Sequence, residues 1–156
     1  MRHGKSSWKP KVSDKDRPLS QRGIEDANKI GCFIASKISI VDMAFSSPAI
    51  RATHTALIVC EKLELPLNKF SISKSLYDFS GEKVLEFIRS LDNSLNTVIT
   101  FGHNNACTYL SYRLCGFDGD NIPTAGATLF RFDVSLWSQI NSGNAEYLFP
   151  KTLLTT

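Results

Sequence analysis

The sequence has no apolar run near the ~18 residues that a membrane span needs. The best, Ile38 to Phe45, is broken by Asp42. Arg2 to Lys15 is polar and charged, so no secretory signal pattern is legible at the N-terminus. Cysteine is scarce: Cys32, Cys60, Cys107 and Cys115 stand apart, with no C-x-x-C pair. Three scattered histidines add no ligand cluster, so neither a disulfide framework nor a zinc site can be read. The expectation is a cytoplasmic protein with reduced thiols, no bound metal and no membrane partner. Charge of one sign is also nearly absent. Eighteen Lys and Arg against 15 Asp and Glu give a net +3, too mild to imply nucleic acid but suited to a small anionic ligand. No internal repeat or low-complexity tract is present.

What is present is an ordinary globular balance, 42% hydrophobic and 21% charged over 156 residues, which predicts one domain over 1–156. Lys9 to Arg17 reads as an exposed, Pro-flanked loop. Ser20 is a good N-cap, and Ile24, Ala27, Gly31 and Ile34 mark one face of a helix ending near Lys37. Ile38 to Phe45 reads as a buried strand. Ser47 and Pro48 then open a helix from about Ala49 to Leu63. Lys69 to Ser73 is a weak strand, and a helix from Ser80 carries Val84, Phe87, Ile88 and Leu91. Thr97 to Phe101 is the clearest strand, followed after Gly102-His103-Asn104-Asn105 by a helix to about Leu114. Gly116 to Thr124 is read as a loop. Ala127 to Val134 and Glu146 to Phe149 are late strands. The alternation predicts an α/β sandwich with a mostly parallel sheet, whose ligands bind beyond the carboxyl ends of the strands.

Two candidate residues fall at such ends: Arg51, in the first turn after one strand, and His103, directly after another. Arg2 and His3 stand at the start of the chain. Guanidinium offers a planar fork of donors for phosphate oxygens. Neutral imidazole is a competent nucleophile, and helix N-termini add partial positive charge. Two arginines and two histidines would suit a doubly charged phosphoryl group. Composition alone does not single them out.

Arg2-His3-Gly4 resembles the R-H-G signature of the histidine phosphatase superfamily, which includes the phosphoglycerate mutases. Asp16-Arg17-Pro18-Leu19-Ser20 resembles its next element. Ser46-Ser47-Pro48-Ala49-Ile50-Arg51-Ala52 resembles the S-P-x-x-R-A block, and Gly102-His103-Asn104 the segment with the second histidine. Four blocks in order span nearly the whole chain, and the R-P-L-S block points to the SixA-like branch of small phosphohistidine phosphatases. The family places a strand before R-H-G; here Met1 alone precedes it.

The resemblance implies a three-layer α/β/α fold like that of phosphoglycerate mutase and a two-step phosphoryl transfer. His3 would attack phosphorus, while Arg2, Arg51 and His103 hold the oxygens. Arg17 would be a further phosphate ligand, Gly4 would admit the phosphate to the backbone, and Thr124, after Pro123, would line the pocket. Asp78 or Glu82 would be the general acid. No cofactor is implied, since arginines supply the charge a metal would bring. The substrate would be a phosphorylated protein or a small phosphorylated molecule, and inorganic phosphate the product.

The alternatives are a broad small-molecule phosphomonoesterase and a non-catalytic domain that binds a phospho-ligand. His54, one turn after Arg51, is read as covering a helix face, and Trp8 as packing or a pocket wall. Cys107 to Arg113 has the C-x-x-x-x-x-R spacing of cysteine-dependent phosphatases. Its intervening residues read as helix rather than as a Gly-rich phosphate loop, so that chemistry is set aside.

Overall fold

The computed structural model describes residues 1–154. Nine principal elements follow the chain: α1 (Gln21–Lys37), β1 (Met43–Ser46), α2 (Ile50–Lys62), β2 (Phe70–Ile72), α3 (Glu82–Arg89), β3 (Val98–Phe101), α4 (Ala106–Cys115), β4 (Ala127–Arg131) and β5 (Asn144–Leu148). Parallel strands β2-β1-β3 form one sheet, with Ala44 opposite Phe70 and Ile99. Strands β4 and β5 form an antiparallel pair, with Leu129 opposite Glu146.

Alternation along β1 sorts the two faces. Ala44 enters a core with Ile30 and Ile34 of α1 and Ala56 and Val59 of α2. Its neighbour Phe45 packs instead against a core built from Val84 and Leu85 of α3 and Leu110 and Leu114 of α4. The result is the expected three-layer α/β/α sandwich with a mostly parallel sheet.

Helix α1 starts where its cap requires. The Ser20 hydroxyl accepts from Gly23 N–H at 3.2 Å, and Ala27, Ile30, Gly31 and Ile34 form the buried face. The strand expected from Ile38 begins only at Met43. Ile38 still donates its N–H to Ile34 as the last residue of the helix end, and Ile40 is exposed. Asp42 then fixes the entry into the sheet, accepting from Asn96 and Thr97 N–H at 2.7 and 2.9 Å. A charged residue inside an apolar run marked a strand border, not a flaw in a strand. The strand read to Val134 ends at Arg131, and helix α3 starts at Glu82 rather than Ser80.

The first three residues join the two sheets. Gly102 N–H donates to Met1 O and His3 N–H to Gly102 O, while Arg2 N–H donates to Gly126 O and Ala125 N–H to His3 O. A cavity of about 710 Å³ is lined by residues of both β3 and β4. The Met1–His3 segment therefore ties these strands together at the carboxyl end of β3, where the candidate site lies. Among the described residues no helix is long and apolar enough to cross a membrane.

Candidate active site

Each block contributes one wall. The turn after β1 supplies Ser47, and the first turn of α2 supplies Arg51. The end of β3 supplies His103, and the bridging segment supplies His3. Arg51 is only 1% exposed, although it is a long cation, so nearly every part of it must find a partner inside the protein. It does. Its Nε donates to His3 Nε2 at 3.2 Å, and its Nη2 lies 3.3 Å from His103 Nδ1. Nη2 also donates to Asp14 Oδ2 at 2.9 Å, and Nη1 donates to the Asp14 carbonyl oxygen. The two imidazole rings lie 5.3 Å apart, centre to centre.

These contacts define the protonation of His3. Its Nδ1 lies 2.7 Å from the carbonyl oxygen of Gly4, which can only accept, so the ring proton sits on Nδ1. Nε2 then carries the lone pair, as acceptance from Arg51 also requires. On the other ring, His103 Nε2 sits 2.7 Å from the Ser47 hydroxyl. A proton on Nε2 leaves Nδ1 facing the guanidinium as an acceptor. Burial is the main force that keeps both rings neutral. It pushes His3 down to about 4, and the charges of Arg51, Arg2 and Arg17 add to it against the Gly4 carbonyl contact. His103 is pushed down to about 3 by burial, then by His3 and Arg51.

Arg17 approaches from the loop before α1. Its Nη2 pairs with Asp14 Oδ1 at 2.9 Å, and its Nε and Nη1 are buried with no partner. The Asp14 carboxylate thus bridges Arg17 and Arg51 and also accepts from the Tyr77 hydroxyl at 2.8 Å. Partial burial works against its charge. The bonds from Tyr77 and Arg51 and the nearby guanidinium charges outweigh that and hold its carboxyl below the usual range. Tyr77 and Phe79 pack on the outer side of His103, with ring centres 5.2 and 4.8 Å away.

The other expected residues fall elsewhere. Arg2 turns its Nη1 to Ile122 O at 2.7 Å and Asn121 Oδ1 at 3.3 Å, and acts on the histidines through its charge. Gly4 spends its N–H on the Thr55 hydroxyl at 2.9 Å. What demands glycine there is packing, because a Cβ would stand 2.6 Å from the carbonyl oxygen of Gly23. Thr124 is half-buried and precedes Ala125, which bonds to the His3 main chain. Asp78 turns its carboxylate to the N–H groups of Ser80, Gly81 and Lys83 at 3.0, 2.9 and 3.0 Å, at the start of α3. Glu82 accepts from the Tyr109 hydroxyl. No bond links Asp78 or Glu82 to His3, Arg51 or His103.

Sequence reasoning did not place Asp14, Ser47 or Tyr77 in the site. Asp14 was legible only as part of the exposed loop from Lys9 to Arg17, and Ser47 only as the opening of a helix. Among the described residues no group of three or more His, Cys, Asp or Glu side chains is gathered to hold a metal ion. The arrangement offers a lone pair on His3 Nε2 beside buried guanidinium donors, two of which await an acceptor. An anion with several oxygens would meet both.

Residues 1–72 match the histidine phosphatase superfamily (branch 1). Over 155 residues the chain is 26% identical to an uncharacterised protein of Mycobacterium tuberculosis, covering 93% of this chain and 94% of the relative. The crystal structure of SixA from Agrobacterium tumefaciens matches with a TM-score of 0.70 at 25% identity, covering 81% of this chain and 84% of that one. The protein histidine phosphatase SixA complexed with tungstate matches with a TM-score of 0.79 at 24% identity, covering 98% and 96%.

Proposed function

The chain belongs to the histidine phosphatase superfamily, and on that premise we propose that it is a phosphatase working through a phosphohistidine intermediate on His3. The observation that carries the reading is the state of one atom: His3 Nε2, unprotonated, held by Arg51 in a buried, cationic setting.

In the first step the Nε–H of Arg51 passes from His3 Nε2 to a phosphoryl oxygen, and the freed Nε2 lone pair forms a bond to phosphorus as the bond from phosphorus to the leaving atom breaks. The leaving group departs with that electron pair. Arg51 and the free donors of Arg17 hold the phosphoryl oxygens, and their charge offsets what accumulates there. Because they are already placed and buried, little reorganisation is needed when the substrate arrives. In the second step water attacks the phosphohistidine, the N–P bond breaks, and inorganic phosphate leaves with His3 restored. The guanidinium groups supply the positive charge, so we read the reaction as independent of metal.

The acids near the site favour one substrate class. Asp78 and Glu82 are engaged elsewhere, and Asp14 is held ionised by its arginines. A leaving alkoxide needs a proton donor, whereas a leaving imidazole can be protonated on its other nitrogen before departure. We therefore favour phosphohistidine in a protein, as in the SixA-like branch, over a broad phosphomonoesterase. Four free cysteines agree with the cytoplasmic setting we assign.

The test is a substrate panel of p-nitrophenyl phosphate, acetyl phosphate, a phosphohistidine peptide and an alkyl phosphate. The expected order places the phosphohistidine peptide and acetyl phosphate well above the alkyl ester, and Arg51→Ala lowers kcat/KM by about 10²-fold or more. Equal turnover of the alkyl phosphate and the phosphohistidine peptide would defeat the substrate reading. Phosphate binding with no turnover of any substrate would point to a binding domain instead.

A further inference from the structure

We propose that Trp8 and Asp14 are positioning residues that together clamp Arg17, leaving its Nε and Nη1 donors free for a phosphoryl oxygen. This rests on the phosphoryl reading of the site, but it assigns two residues that the chemistry itself does not require.

The starting point is the cost of Arg17 as it stands. Its side chain is about nine-tenths buried, yet Nε and Nη1 have no partner. Unpaired buried donors are unfavourable, and a long flexible side chain would ordinarily swing out to water. Something must hold it in. Two contacts do, on different parts of the group. The Trp8 ring covers the guanidinium face, with Cζ 3.7 Å from the ring centre. The Asp14 carboxylate takes Nη2 at 2.9 Å. A face contact and a contact at one nitrogen fix a planar group, and they leave the other two nitrogens uncovered.

The clamp is itself anchored. Ser7 N–H donates to Pro18 O at 2.9 Å, and Ser6 bridges Leu19, which brings Trp8 alongside Arg17. Asp14 sits in a turn tied down by Arg51 Nη1 on its carbonyl oxygen and by Ile50 N–H donating to Lys15 O at 2.9 Å. Trp8 is 78% exposed, an unusual place for an indole unless its buried face has a task. The task visible here is to cover Arg17. Because Asp14 also holds Arg51, the carboxylate sets the spacing of the two cations that would share one dianion.

Phosphate affinity and side-chain order test the clamp on the full chain. Wild type, Trp8→Ala, Trp8→Phe, Arg17→Ala and the Trp8→Ala/Arg17→Ala double variant are titrated with inorganic phosphate at neutral pH. Trp8→Ala should weaken phosphate binding about fivefold and Trp8→Phe should restore most of it, while Trp8→Ala should add nothing once Arg17 is alanine. The Arg17 Nε–H order parameter should fall from about 0.85 toward 0.6 or lower in both Trp8→Ala and Asp14→Asn. Equal losses in the presence and absence of Arg17, unchanged affinity in Trp8→Ala, or an Arg17 that stays rigid in both variants would overturn the clamp. A wild-type protein that binds no phosphate would overturn the phosphoryl site as well, so the two failures are distinct.

Discussion

Nε of Arg51 donates a hydrogen bond to Nε2 of His3 across 3.2 Å. An imidazolium could not accept it, so this contact exists only while His3 is neutral. The Arg51 guanidinium thereby favours an unprotonated Nε2 on His3. Burial acts in the same sense, and the two together make the site a place for neutral imidazole beside fixed positive charge.

That relationship sets a pH dependence. His3 is pushed down to about 4 and His103 to about 3, both from an ordinary value of 6.5. Between these values the unfolded chain binds more protons than the folded one, so stability is complete above about pH 6.5 and is lost as pH falls toward 4. The slope approaches about 1.4 kcal/mol per pH unit for each histidine within that window. Chemical denaturation from pH 7.5 to 4.5 should show this loss. Over the same range kcat/KM should lack an acid limb near 6.5. A limb there would mean that His3 titrates as an ordinary histidine.

Gly4 and Gly23 face each other where the R-H-G segment crosses the start of α1. A Cβ on Gly4 would lie 2.6 Å from the Gly23 carbonyl oxygen, and one on Gly23 would lie 2.2 Å from Lys5 O. Backbone cannot yield as a side-chain tip would. Gly4→Ala should lower stability by about 1–3 kcal/mol, read as a lower denaturation midpoint at unchanged m. No change in the midpoint would show that the two segments can separate at little cost.

How much of this was legible in the chain order depends on how far apart the partners lie. Ser20 fixed the start of α1 and the apolar periodicity carried it to near Lys37, because a helix is written by neighbours. Arg51 and His103 could be placed at strand ends by the α/β rule together with the family blocks. The start of β1 was misread because Ile38, Ile40 and Val41 are β-branched without being strand. What stops the strand there is Asp42 bonding to Asn96 and Thr97, more than fifty residues away. Asp14 was hidden for the same reason. It meets Arg51 across 37 positions and Tyr77 across 63, and no local pattern announces either contact.

Asp78 separates a structural carboxylate from a proton donor. Its oxygens take four main-chain N–H groups at the start of α3, those of Ser80, Gly81, Lys83 and Val84. Burial opposes its charge, but those bonds and the Ser80 hydroxyl prevail and keep its carboxyl below the usual range. Asp78→Ala should cost about 1–2 kcal/mol of stability, as loss of a helix cap does, with kcat/KM for an alkyl phosphate, whose leaving group needs a proton, within about threefold of wild type. A loss of about 10²-fold or more with the fold intact would make it the general acid instead.

A bond from phosphorus to the His3 ring can be trapped. The protein is mixed with acetyl phosphate, quenched in alkali within milliseconds to seconds, digested, and read by mass spectrometry. The expected product is an acid-labile, alkali-stable phosphoryl group on the peptide carrying His3, formed fast enough to precede phosphate release. His3→Ala should abolish the adduct and lower turnover by at least ~10³-fold. A fully active protein with no adduct on His3, or an adduct that persists on Cys107 or His103 in the His3→Ala variant, would contradict a phosphohistidine intermediate on His3.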